Sequence, residues 1–203
     1  MGDERIEISD CRFQIGDHSN SMKDILGQLQ NEAIQLGATR AKVIAVSSIV
    51  IDERVRLKCL VPLCDKYDHN LMCPPNLPSV ADFRESLKWY SKALFVQLAW
   101  ENKGKVSKTE ARKHALRLHK IIHELERKAL YLGFPLAAGL IGGSCKLCRK
   151  CVGPGGHCKH PLLARPSIEG MGIDVIQTAK KIGLPFDFSF QDRLFWNGLL
   201  LIN

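Results

Sequence analysis

Seven of the eight cysteines fall into two groups, Cys59, Cys64 and Cys73 in one and Cys145, Cys148, Cys151 and Cys158 in the other. Neighbouring thiolates repel one another unless a cation stands between them, so both groups predict metal ligation. The run Cys145-x2-Cys148-x2-Cys151 puts three sulfurs on a single loop around one point. Gly142 and Gly143 precede it, and glycine lets backbone N–H groups approach a metal centre closely. Cys158 can return as a fourth ligand, because the intervening Val-Gly-Pro-Gly-Gly-His is nearly all turn residues.

A [4Fe–4S] cluster suits that second group, since iron–sulfur ferredoxins use the same x2 spacing. Zinc is the alternative. Structural zinc prefers paired C-x2-C knuckles, however, and a third cysteine at x2 crowds a tetrahedral ion. His157 and His160 flank Cys158 as substitute ligands or as groups that support the ligands.

The first group differs. Its spacing is x4 and x8, and Pro62, Pro74 and Pro75 keep the segment extended and short of N–H donors. Three cysteines can hold a second cluster with one iron left open to a small molecule, as catalytic metals are. His69 could instead close a Cys3His zinc site. A plainer possibility is that some of these thiols pack as small apolar residues. Tyr67 serves as a proton donor or as packing, and the isolated Cys11 reads as a bystander.

The chain of 203 residues suits one metal-binding domain over 1–203, with 1–19 as a loose N-terminal segment. At this size folding buries roughly 70 % of the unfolded surface, so a core forms without disulfides. The opening Met1-Gly-Asp-Glu-Arg lacks the apolar stretch of a secretory signal, and no apolar run is long enough to cross a membrane. Cysteines in that setting predict metal or redox chemistry in the cytoplasm. The formal net charge of +8 suits counter-charges to an anionic cluster or an acidic redox partner. Nucleic acid is the weaker partner for it.

The elements that must position these groups can be read in turn. A helix is expected over Asn20–Leu36 with Asn20 or Ser21 as cap, then a strand starting in Lys42–Ile51. Ser79 caps a helix to about Tyr90, and Ala93–Trp100 forms a strand. Ser107 and Glu110 make a capping box for the longest helix, whose apolar stripe runs from Leu118 to Leu132. That helix also carries Arg112, Lys113, Arg117, Lys120, Arg127 and Lys128 after Lys103, Lys105 and Lys108, a docking face or simply a solvated one. His119 and His123 share the i, i+4 spacing of metal ligands but have no carboxylate or cysteine placed to join them. A short strand over Leu136–Ile141 delivers the second group, a helix lies within Ser167–Ile182, and Arg193–Ile202 closes as a strand. The order predicts an α/β or α+β fold: one mixed sheet of about four strands, helices packed on it, and two irregular cysteine loops.

Five stretches together resemble a known family. They are Asp52-Glu-Arg-Val-Arg-Leu-Lys-Cys59, Cys64-x2-Tyr67, Cys73-Pro-Pro, Gly142-Gly-Ser-Cys-x2-Cys-x2-Cys151 and Arg165-Pro-Ser-x-Glu169-x2-Gly-Ile-Asp-Val175. From about Ile34 to the C-terminus, the chain is similar to the predicted metal-binding proteins of anaerobic bacteria and archaea called domain of unknown function 2284. The resemblance implies metal binding, iron–sulfur foremost, through the matched cysteines, and it implies no reaction. Members often have an aromatic residue before Cys-Pro-Pro, where this chain has Met72. Near the last stretch, Arg165 and Glu169 are expected to pair with each other and seat the loop, the alternative being Arg165 as an anion or substrate contact beside the cluster.

Three functions are therefore in view. The first is an electron-transfer or redox accessory protein with a [4Fe–4S] cluster on Cys145, Cys148, Cys151 and Cys158 and a second metal centre on Cys59, Cys64 and Cys73. The second is an enzyme that presents an open iron of the three-cysteine group to a small substrate of unknown identity. The third is a zinc-stabilised module that binds nucleic acid or protein.

Overall fold

The computed structural model describes residues 21–101, 107–184, 186 and 193–203. Cys11 and the expected loose segment lie outside the described residues, as do Lys103, Lys105 and Pro185.

Helix α1 spans Met22–Gln35 and starts at Ser21, whose hydroxyl accepts from the Asp24 N–H while Asp24 reaches back to the Ser21 backbone. Strand β1 covers Arg40–Ala45, and the β-branched run then tightens into a 3-10 turn over Val46–Ser48. A short helix, α2, follows at Glu53–Leu57. Helix α3 (Val80–Leu87) is capped by Ser79, strand β2 runs Lys92–Glu101, and α4 (Lys108–Tyr131) is capped by Ser107. Strand β3 (Ala138–Ile141), helix α5 (Val175–Lys181) and strand β4 (Arg193–Ile202) complete the order.

The four strands lie in the order β1-β2-β4-β3, and every strand pair is antiparallel. Among the described residues the one parallel contact is an isolated bridge from Ile141 to Ser167. The fold is thus α+β, with the antiparallel sheet deciding between the two classes. β2 and β4 pair along their full lengths, from Lys92 opposite Ile202 to Glu101 opposite Arg193.

Both faces of this sheet are covered. Leu94, Val96 and Leu200 pack with Leu29 of α1 and with Leu118, Ile122 and Leu125 of α4. Their sequence neighbours Phe95, Leu199 and Leu201 point the other way, into a second core with Phe83 of α3 and with Ile173 and Ala179 around α5. Double coverage explains why Ala93–Leu98 is buried without alternation, as a central strand under two helical layers must be.

Candidate metal centre

β3 is the element that aims the second cysteine group. Leaving the sheet at Ile141, the chain turns through Gly142, whose N–H donates to the Asn197 carbonyl at 2.7 Å and whose carbonyl accepts from the Trp196 indole N–H at 2.6 Å. A Cβ on Gly142 would lie 2.9 Å from the Asn197 oxygen, so only glycine passes β4 this closely. Gly143 follows at φ 69°, which turns the chain away from the sheet edge toward Cys145. Trp196 in turn stacks on Trp100, which stacks on His114 of α4 with ring centroids 3.8 Å apart.

The first group hangs from α2. Asp52 caps that helix, and its carboxylate is held near pKa 2 by hydrogen bonds from the Arg54 side chain and backbone. From there the backbone winds through tight turns: the Cys64 N–H donates to the Cys59 carbonyl and the Cys73 N–H to the Asn70 carbonyl. Three contacts then join this loop to the other and to the chain that follows it. The Asn70 side-chain amide donates to the Cys145 carbonyl at 3.0 Å, the Ser167 N–H donates to Met72, and Gly153 packs near the His69 carbonyl.

The result is one cavity of about 1040 Å3 whose lining includes Cys59, Cys64 and Cys73 together with Cys145, Cys148, Cys151 and Cys158. All seven cysteines are free thiols, and Cys73 is the buried one. Lys108, Arg112, Lys146, Arg149, Lys150 and Lys159 also line it, against Asp65, Asp68 and Glu169. A surplus of cations there suits anionic contents. Among the described residues no three His, Cys, Asp or Glu side chains are gathered tightly enough for a single metal ion.

Burial pushes the Cys73 thiol up to about 12, reinforced by charge on Cys64 and Cys59. Burial likewise raises Cys59, and it raises Cys145 together with charge on Cys158, Cys148 and Cys151. Against this, the Leu147 backbone favours the Cys145 thiolate, and the His160 N–H donates to the Cys158 sulfur at 3.4 Å. Amides aimed at sulfur are the means by which proteins stabilise and tune sulfur-bound metals.

The remaining expected residues fall as follows. His160 and Tyr67 line the cavity, whereas His157 is exposed and outside its lining. His69 is exposed and also lines the cavity, with Nδ1 at 2.7 Å from the Tyr67 carbonyl. The expected Arg165–Glu169 pair is not formed. Arg165 turns to Glu126 of α4 at 2.7 Å and to the Leu162 and Ala164 carbonyls, while Glu169 accepts from Gly143 and Ser167. Arg112 leaves the basic face of α4 to donate to the Leu147 carbonyl at 3.1 Å, bracing the second group. His119 is buried away from the cavity, and His123 has Nδ1 3.3 Å from the Arg165 guanidinium. Asn70, Glu126 and Arg112 carry no sequence signal for these roles, because each depends on which loop the fold brings opposite.

No described helix is long and apolar enough to cross a membrane. No curated protein and no solved structure matches the chain. A family model of predicted metal-binding proteins does match, over residues 42–202, which takes in both cysteine groups and all of the fold from within β1 onward. The chain belongs to that family of predicted metal-binding proteins, DUF2284.

Proposed function

We propose that the protein carries two metal centres in one chamber and works in electron transfer or as a redox accessory protein. Cys145, Cys148, Cys151 and Cys158 would hold a [4Fe–4S] cluster, and Cys59, Cys64 and Cys73 a second centre. The observation that carries this reading is the single cavity onto which all seven thiols open. The run Cys145-x2-Cys148-x2-Cys151 favours a cluster over zinc, because a third cysteine at x2 crowds a tetrahedral ion. A zinc ion with Zn–S near 2.3 Å needs sulfurs roughly 3.8 Å apart, whereas a cluster binds each thiolate to a different iron. The cluster would supply one-electron chemistry, and the chain's part is to bind it, to aim N–H groups at its ligands and to surround it with positive charge. Free thiols in such number fit a reducing compartment, the cytoplasm. The exposed Lys113, Arg117 and Lys120 of α4 suit an acidic redox partner.

A second reading is favoured by the cavity's size. Small-molecule sites span about 300–1,000 Å3, so about 1040 Å3 leaves room for a substrate beside the three-cysteine group.

Iron, zinc and acid-labile sulfide measured on protein purified without oxygen test the proposal. Brown protein with iron and sulfide is expected, with Cys148→Ser and Cys59→Ser each losing one centre. Colourless protein holding only zinc would refute the iron–sulfur reading. A change in the EPR spectrum on adding a candidate substrate would select the enzyme.

A further inference from the structure

The first cysteine group offers three thiols among the described residues, and His69, which also lines the cavity, is exposed with its Nδ1 committed to the Tyr67 carbonyl. A carboxylate lines the same cavity, carried by a turn that packs against the first group's segment, where a Cβ on Gly170 would lie 3.1 Å from Pro74. Glu169 begins the 3-10 turn Glu169–Met171, is half-buried, and lines the cavity with Cys59, Cys64 and Cys73. Its Oε2 accepts from the Gly143 N–H at 2.9 Å and from the Ser167 hydroxyl at 3.0 Å. Its Oε1 has no hydrogen bond, and no salt bridge reaches the carboxylate, among the described residues.

A carboxylate held this way is oriented but not neutralised. Half-buried anions are costly unless a cation meets them. The turn that bears Glu169 is also tied to the start of α2, the helix leading to Cys59, by the Asp52 N–H, which donates to the Gly172 carbonyl at 2.8 Å. Once deprotonated, three thiols and a carboxylate that line one cavity form a stable set only around positive charge.

We propose that Glu169 is the fourth protein ligand of the first metal centre, joining Cys59, Cys64 and Cys73 through a carboxylate oxygen. The inference rests on the reading that this group holds a metal. The Gly143 and Ser167 donors on Oε2 then act as the supporting shell that fixes a ligating carboxylate. Carboxylate oxygen is a harder donor than thiolate and binds soft metals less firmly, so this position of the ligand set is the most exchangeable. Because Gly143 leads directly to Cys145, the same carboxylate also ties the first centre to the loop of the second.

Glu169→Gln separates ligation from loop support, since the amide oxygen can still accept from Gly143 and Ser167 while the charge is gone. The probe is ferrous iron, with sulfide, loaded without oxygen. Metal per chain, chelator competition and EPR of the first centre are then compared between Glu169→Gln and the parent. At least about a tenfold loss of first-centre affinity and an altered spectrum are expected, with the second centre retained. Unchanged affinity and spectrum in Glu169→Gln would overturn the assignment and leave the two-centre reading standing. A parent whose first group takes up no metal would remove both. Should Glu169→Gln fail to fold, Glu169→Asp decides: it keeps the charge on a shorter arm, and a shifted spectrum supports ligation whereas an unchanged one refutes it.

Discussion

His119 sits on α4 at 2 % exposure, and neither ring nitrogen has a hydrogen-bonding partner of good geometry among the described residues. Burial lowers its pKa from 6.5 to about 4, with the Leu163 backbone opposing slightly and the Arg165 and Lys146 charges adding to the shift. Between those values an unfolded chain takes a proton that the folded one refuses, so stability is full above about pH 6.5 and falls toward pH 4. At about 1.4 kcal/mol per unit, the loss reaches roughly 3 kcal/mol. His119→Leu should therefore flatten the acid limb and raise stability at pH 5, read by urea denaturation at pH 5 and 7.5. Parallel losses in variant and parent would acquit His119. Arg165 is the converse case, a buried cation that is paired. Its side chain is 9 % exposed and meets Glu126 at 2.7 Å. Removing one partner of such a pair typically costs about 3–5 kcal/mol, so Arg165→Met should cost at least about 3 kcal/mol. Glu126→Gln, which keeps an acceptor, should cost less in the same denaturation assay. Neither environment was legible in the sequence. The i, i+4 histidines looked alike there, and only the loop over Leu162–Arg165 makes one an enclosed neutral ring and the other a neighbour of Arg165.

At the scale of elements, caps were the legible part. Ser21, Ser79 and Ser107 open their helices because a side-chain oxygen can satisfy an N–H in the first turn, a rule that needs no tertiary contact. The five-residue α2 was missed, being too short to show periodicity, although Asp52 caps it. The helix expected within Ser167–Ile182 is shorter, because Gly172 at φ 82° ends the 3-10 turn and Asp174 caps a new start. β1 stops at Ala45, where its partner strand also ends, opposite Lys92. The cysteine loops were legible as ligand-bearing segments but not in how deeply they bury their thiols. That burial yields a prediction. Cys73, with its pKa near 12, and the raised Cys59 and Cys145 stay protonated near neutral pH when no metal is bound. Metal must then displace those protons, so affinity should climb with pH and loading should acidify a weakly buffered solution. Titrating the metal-free chain with Zn2+ as a simple probe should release about one proton per engaged thiol. Cys73→Ser should release fewer, and loading without proton release would contradict the assigned ligands. For the metal-free fold the sign is the opposite: the raised thiols support stability below about pH 9 and withdraw that support as pH rises toward 12.

The whole molecule decides what neither loop could. Cys73 and Cys145 are separated by most of the fold, and spacing within a loop says nothing about which loop will face it. Strand order β1-β2-β4-β3 puts β3 at a sheet edge, and the bridge from Ile141 to Ser167 draws the following chain beside it. Ser167 then holds Met72, and Asn70 holds Cys145, so the two groups close over a common space. If each group carries a paramagnetic centre, the two lie in one cavity of about 1040 Å3 and their spins must feel each other. Fully reduced protein should therefore give an EPR spectrum broader than the sum of two isolated centres, with power saturation relieved by fast relaxation of the neighbour. Cys148→Ser, by removing the second centre, should narrow the remaining signal to that of a lone first centre, and Cys59→Ser should do the reverse. Asn70→Ala provides a control on the geometry, since it deletes the side-chain bond to the Cys145 carbonyl and no ligand. It should weaken the interaction while leaving the metal content of both groups intact. Two reduced signals that add without broadening would mean that the centres do not share this chamber.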